Sequence, residues 1–324
     1  MRGAGAFTGR GLMAILLMAC TLLLSTSPAQ AGSSTLEPCI APATTTDEIS
    51  QIVWQAATFD CKTAQSALQP GDYWVRFTVP ESAQPKGKGL LLRTASLWDD
   101  GLELWAVHED GFIAYYDPFA RQAISPMRLG ATIVVPIKAR DTQVVLLLAR
   151  VKNSAAVRGV MLETQLSTSE SAITFEMAMA VLYAGFAGAC LALLVYNIAL
   201  WRAMRERFLL AYCAMLVATL AYGIFTSGAP HYFVAGMSGS DRLAFTIPML
   251  AYAASTALIF MRYFFENANV PRWLVRTTFV HAAWMSGFAT FYSVMAPAYV
   301  KQLDLVYVYG FVHVAVIFGA CVFI

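Results

Sequence analysis

The sequence predicts an all-β domain of jelly-roll or sandwich type followed by an α-helical polytopic membrane bundle, and three observations predict it. Near residue 177 the hydropathy of the chain changes. Before that point, short runs alternate apolar and polar residues between turn-forming clusters, which is the period of strands. After it, apolar runs of about 20 residues, the length that crosses a hydrocarbon core, follow one another to Ile324.

Composition agrees. Of 324 residues, 58% are hydrophobic and 13% charged, against about a quarter charged in soluble proteins, and mean hydropathy is +0.58. Lipid must solvate part of such a chain. The net charge is only +2, and the basic residues form no long patch interleaved with aromatics, so nucleic-acid binding is excluded.

Residues 1–31 read as a signal peptide: Arg2 and Arg10 form a basic region, Leu12 to Leu24 an apolar stretch, and Pro28-Ala29-Gln30-Ala31 a small-x-small cleavage pattern. The alternative, an uncleaved anchor, suffers from an apolar stretch shorter than the ~20 residues of a spanning helix. Residues 32–170 would then be exported. Of six cysteines, Cys20 leaves with the peptide and Cys190, Cys213 and Cys321 fall in apolar helices. Cys39 and Cys61 remain, a number that can pair in an oxidising compartment, although two separate free thiols are also compatible with the sequence. No Cys/His spacing suggests a metal site.

Within the exported part, Asp72 to Val79 alternates large apolar and polar residues before Pro80. Leu90 to Arg93, Gly101 to Val107, Ala131 to Ile137, Gln143 to Val151 and Gly159 to Leu166 continue the rhythm, with Glu109-Asp110-Gly111 as one turn. Short strands at regular spacing imply an antiparallel sandwich or jelly roll.

Over residues 171–324, helices are expected at about 177–200, 207–227, 243–265, 277–296 and 303–324. Arg202, Arg205 and Arg207 crowd the first loop, and Arg262, Arg272 and Arg276 the third, whereas the other loops hold only Arg242 and Lys301 beside Asp241 and Asp304. The positive-inside rule puts the arginine-rich loops in the cytoplasm, as an exported first domain requires.

These residues resemble a known family. Tyr73-Trp74-Val75-Arg76-Phe77, Leu102-Glu103-Leu104-Trp105 leading to Asp110-Gly111, a first helix ending Leu194-Val195-Tyr196-Asn197, and Arg205-Glu206-Arg207-Phe208 running into Leu209-Leu210-Ala211-Tyr212 are similar to the bacterial seven-transmembrane receptors with diverse intracellular signalling modules. The resemblance implies a periplasmic jelly-roll domain that binds a carbohydrate or other small ligand, seven helices in the inner membrane, and a cytoplasmic output module such as a diguanylate cyclase or histidine kinase. Because the chain stops inside its fifth expected span, it is expected to be truncated, and no catalytic residue is assigned. No cofactor is expected.

Polar residues within spans usually face other helices. Tyr196 and Asn197 near the inner end of the first helix, His281 in the fourth and His313 in the fifth are the candidates for coupling. Each has a packing alternative: Asn197 as a hydrogen bond stapling two helices, and the histidines as buried singles without a carboxylate at helical spacing. Ala184, Gly188 and Ala192 recur every four residues and permit close helix approach, with a homodimer the weaker option.

For ligand contact the candidates are Trp98, Asp99, Asp100, Trp105 and Arg121, because sugar recognition favours an aromatic face ringed by polar groups. Trp105 in mid-strand is equally a core residue, and Asp99 and Asp100 equally shape a turn. Neither a glycosidase pair nor a calcium loop is indicated, since adjacent carboxylates diverge and further ligands are missing.

The reading is a sensory receptor whose exported domain binds ligand and biases the helices, with Ser167 to Phe175 as the coupling joint. Rivals are a membrane-anchored carbohydrate-binding module, a membrane enzyme resting on His281 and His313, and a transporter, for which Pro248 is the one visible helix break.

Overall fold

The computed structural model describes residues 33–44, 49–54, 59–84, 89–95, 98–119, 127–234, 237–264, 271–296 and 299–323. The expected signal peptide, 1–31, and the candidate Arg121 lie outside them. Among the described residues are ten strands: β1 (Ser33–Thr35), β2 (Cys39–Pro42), β3 (Gly71–Thr78), β4 (Leu90–Ala95), β5 (Gly101–His108), β6 (Ile113–Tyr116), β7 (Met127–Arg128), β8 (Thr132–Ile137), β9 (Val144–Ser154) and β10 (Leu162–Thr168). They form two antiparallel five-stranded sheets, ordered β1-β10-β4-β8-β7 and β2-β3-β9-β5-β6.

The period of two decides which side chains meet. On β3, Tyr73, Val75 and Phe77 enter a core between the sheets, together with Leu104 and Ala106 of β5, Leu147 and Ala149 of β9, Leu92 of β4, Ile133 and Val135 of β8 and Leu166 of β10. The alternate residues Trp74, Trp105, Val107, Leu146 and Leu148 form a second apolar layer with Val53 of a short helix, α1 (Ile49–Trp54). The second sheet is therefore covered on both faces, which is why β5 and β9 read as almost continuous apolar runs. Cys39 and Cys61 form a disulfide beside the paired backbones of Ile40 and Asp60. The sequence reading missed β1, β2, β6 and β7, whose two to four residues are too few to establish a period.

Five long helices follow: α2 (Ser169–Met204), α3 (Arg207–Thr226), α4 (Gly239–Phe264), α5 (Arg272–Met295) and α6 (Val300–Phe323). Among the described residues, α2, α3, α4 and residues Val300–Ala320 of α6 are long and apolar enough to cross a membrane. The chain is a multi-pass membrane protein. Helix α5 has the length but is more polar, and its polar side chains are engaged: Tyr252 and Thr290 hydroxyls lie 2.8 Å apart, and Ser286 donates to Ser255, which donates to the Ala282 carbonyl. Pro248 sits inside α4 next to Ile247, whose carbonyl accepts the Tyr307 hydroxyl of α6 at 2.6 Å, so the break is braced by a neighbouring helix.

Helix α2 begins at Ser169, well before the expected 177, and Ala172 is buried on one side of this extra length while Ile173 and Met177 are exposed. The Arg128 guanidinium lies 3.5 Å from Glu176, Arg93 stacks 3.9 Å over the Phe175 ring, and Met179 touches the turn at Gly130. At 36 residues the helix is about 54 Å long, well beyond a hydrocarbon core of ~30 Å. It ends where Arg205 adopts the left-handed conformation and donates its N–H to the Trp201 carbonyl. Ala184, Gly188 and Ala192 are exposed along α2, so among the described residues the small-residue stripe packs no helix.

Candidate functional site at the junction of sheets and helices

Strand β10 ends at Thr168 and α2 starts at Ser169, so the expected joint between Ser167 and Phe175 is a strand running directly into a helix. The sandwich also grips the ends of three further helices. From β9, Asn153 adopts a positive φ and donates its side-chain amide to Asp100, on the turn before β5. The Asp100 carboxylate then accepts the Ser240 backbone N–H at 2.9 Å and the Ser240 hydroxyl at 2.9 Å. Ser240 lies in the first turn of α4, where unpaired backbone N–H groups and the helix dipole favour an anion.

Helix α4 also carries its own cap. The Ser238 hydroxyl accepts the Asp241 N–H at 3.0 Å, and Asp241 accepts the Ser238 N–H at 3.1 Å. Asp100 thus adds a tie between two parts of the fold to a helix start that is already closed. Gly239 is needed for the close approach: a Cβ there would stand 2.7 Å from the backbone nitrogen of Asp99.

Asp99 is 5% exposed and Arg242, on the next turn of α4, is 1% exposed. Burial pushes the Asp99 carboxyl up to about 7, opposed by a hydrogen bond from Ser154 and the nearby Arg242 charge, with Asp100 adding a smaller upward push. Arg242 donates to the Met127 sulfur at 3.2 Å, linking α4 to β7. In the α3–α4 connection, burial and the Arg242 charge hold His231 down at about 4, so it is neutral at pH 7.

The Ser227 carbonyl at the end of α3 accepts the backbone N–H groups of Gly130 and Ala131 at 2.9 and 3.2 Å. Gly228, at φ +79°, has no room for a side chain, since a Cβ would lie 2.9 Å from the Arg128 carbonyl oxygen. At the start of α6, Lys301 donates to the Ser66 carbonyl at 2.6 Å and the Val157 carbonyl at 3.3 Å. Trp98 and Ala155 pack against Leu243, Tyr292 and Tyr307 in one apolar cluster. The sandwich therefore holds the near ends of α2, α3, α4 and α6, while Arg202, Arg205, Arg207, Arg262, Arg272 and Arg276 sit at the far ends of the helices.

The candidate ligand residues do not converge on one sugar platform. Trp98, Asp99 and Asp100 lie at this junction. Trp105 is 6% exposed beneath α1, with its ring 5.3 Å from Trp74 and 5.2 Å from Tyr115. Tyr196 is exposed on α2, while Asn197 is buried and its amide donates to the Leu193 carbonyl of its own helix at 2.7 Å. His281 and His313 come together with ring centres 5.7 Å apart, bonded at 3.1 and 2.8 Å to the backbone carbonyls of Gly310 and Tyr309. Among the described residues no group of three or more His, Cys, Asp or Glu could hold a metal ion.

Sequence reasoning missed Ser240, Arg242, Lys301 and the Gly130–Ser227 contact. Two signals pointed to them: the Ser238-x-x-Asp241 box at the start of a span, and an arginine one turn inside an apolar helix. Residues 179–324 match the family described as 7TM diverse intracellular signalling. No curated protein matches the chain.

Proposed function

We propose, from the premise that the helical region belongs to the 7TM diverse intracellular signalling family, that the chain is a sensor of the bacterial inner membrane. Its signal peptide is removed after Ala31, and its sandwich lies in the periplasm. The order in which the chain visits its two sheets supports a jelly roll: with β2 and β7 set aside, the remaining strands, numbered one to eight, run 1-8-3-6 in one sheet and 2-7-4-5 in the other. The clustering of arginines at the helix ends remote from the sandwich supports a cytoplasmic far side.

The observation that carries the reading is the junction. A strand continues into α2, Asp100 is tied to α4, and Gly130 is tied to α3, so a ligand that favours one pose of the sandwich biases the helices. The ligand is a small carbohydrate-like molecule. An open groove of about 770 Å³ along β6 and β8, with Phe112 and Tyr115 beside Lys138 and Arg140, supports it by offering aromatic faces next to polar groups. Asp99 and Asp100 serve coupling rather than sugar contact. The output is a diguanylate cyclase or histidine kinase module on the cytoplasmic side.

The test is a flexible Gly/Ser insertion between Thr168 and Ser169 in the full-length receptor, read as cyclic-dinucleotide level or phosphotransfer in native membranes challenged with a panel of mono- and disaccharides. The insertion is expected to abolish a response that the unmodified receptor gives. An unchanged response refutes the coupling, and a sandwich that binds sugar with no membrane output favours an anchored carbohydrate-binding module.

A further inference from the structure

Between the sandwich and the bundle lies a second cavity, of about 250 Å³, bounded by Trp98, Val157 and Arg158 from the sandwich and by residues of α3, α4, α5 and α6. Its walls are mainly aromatic and aliphatic: Tyr222, Tyr292, Tyr307 and Phe311 stand around it with Trp98. Tyr292 and Tyr307 meet edge to face, with centroids 5.5 Å apart, and Tyr307 meets Phe311 in the same manner at 5.0 Å. Into this ring of aromatic faces projects one carboxylate, Asp304, on the second turn of α6.

Asp304 is half-buried, and among the described residues it forms no ion pair within 4 Å. Its hydrogen bond comes from the Tyr292 hydroxyl at 3.5 Å, a long contact that leaves most of its acceptor capacity free. The nearby cation Lys301 is turned to the carbonyls of Ser66 and Val157, and the Arg158 side chain, which also lines the cavity, is exposed to solvent, where its charge is screened from Asp304. A carboxylate held in apolar surroundings gains most from a cation that brings its own hydrogen-bond donors. Aromatic faces carry negative quadrupoles that attract the same cation. Sugars would leave many hydroxyls facing apolar walls in such a space, and anions would meet Asp304 directly.

We infer that this cavity is a binding site for a small organic amine, with its ammonium group on Asp304 and its apolar body among Trp98, Tyr222, Tyr307 and Phe311. The volume, slightly below the ~300 Å³ at which drug-sized pockets begin, suits a single-ring amine. The site is distinct from the β6–β8 groove and does not depend on the carbohydrate reading. Because its walls come from the sandwich and from four helices at once, occupancy favours the docked junction.

The experiment uses the whole chain in detergent micelles, with tritiated 2-phenylethylamine as probe and 2-phenylethanol, its neutral analogue, as competitor. The amine is expected to bind, the alcohol to compete at least about tenfold more weakly, and Asp304→Asn to lower amine affinity by roughly tenfold, the loss that follows when a desolvated cation–carboxylate pair is removed. Leu250→Trp fills the cavity while keeping the carboxylate, and it is expected to abolish binding, which covers the case in which the Asp304 variant does not fold. Equal competition by amine and alcohol overturns the assignment, as does an amine affinity that Asp304→Asn leaves unchanged, amine binding that survives Leu250→Trp, or an absence of amine binding to the unmodified chain. An unmodified receptor that gives no sugar response while amine binding is intact refutes the receptor reading and leaves this site standing.

Discussion

Replacing Asp100 by alanine isolates the junction from the helix it caps. The substitution removes two hydrogen bonds from Ser240, each at 2.9 Å, and the one from the Asn153 amide. A partly buried, charge-assisted bond contributes about 1 kcal/mol net, and an N-cap contact about the same. The docked pose should therefore lose on the order of 2–3 kcal/mol, raising the population of the opened junction roughly 30- to 150-fold. Helix α4 itself should persist, because the Ser238–Asp241 box is untouched. Hydrogen exchange of the whole chain in micelles reads both quantities: amides at the start of α4 and in the Gly130 turn should exchange faster, while amides near Ser255 should not change. Asp100→Asn, which keeps an acceptor but not the charge, should fall between the two. Exchange within about threefold of the unmodified chain at Ser240 and Gly130, far below that 30- to 150-fold range, would refute the claim that this carboxylate ties the sandwich to the bundle.

Asp99 should make the chain pH-sensitive. Its carboxyl is raised to about 7 in the folded state against ~3.9 unfolded, so between about pH 4 and 7 the unfolded chain releases a proton that the folded chain keeps. Stability then falls as pH rises through that window, by up to about 4 kcal/mol, and is flat above it; Asp99→Asn should remove the slope in thermal unfolding scans, and a slope that survives would assign it to other groups. Reducing the Cys39–Cys61 bridge, whose ends are 22 residues apart, should cost about 3 kcal/mol in the chain-entropy model, seen as a lower unfolding midpoint with dithiothreitol that Cys39→Ser/Cys61→Ser does not show. Trp105→Ala should cost about 3–5 kcal/mol of stability through the layer under α1; loss of sugar binding at unchanged stability would instead make Trp105 a stacking platform.

Elements whose pattern repeats within a few residues were legible in the sequence. Tyr73, Val75 and Phe77 show the strand period directly, and α3 and α6 announce themselves by apolar length. Legibility was poorest where a residue's role is set by something distant in sequence. Trp105 has the same alternation whether its outer face meets ligand or Val53, and only the position of α1 decides. The Trp98-Asp99-Asp100 turn resembled a sugar contact because an aromatic beside carboxylates is that chemistry. The partner of Asp100 is Ser240, 140 residues away.

The division of the chain is written in its local pattern: strands with a period of two, then helices long enough for a bilayer. Both follow from local physics, because alternating side chains sort a strand's two faces, and backbone groups in lipid must be satisfied within the segment that carries them. Packing between distant parts of the chain sets which helix ends the sandwich grips, the burial of Asp99 and Arg242, and the meeting of Asp304 with five aromatic side chains. Those outcomes depend on hydrogen bonds and packing between residues far apart in the chain, whose geometry no local period encodes.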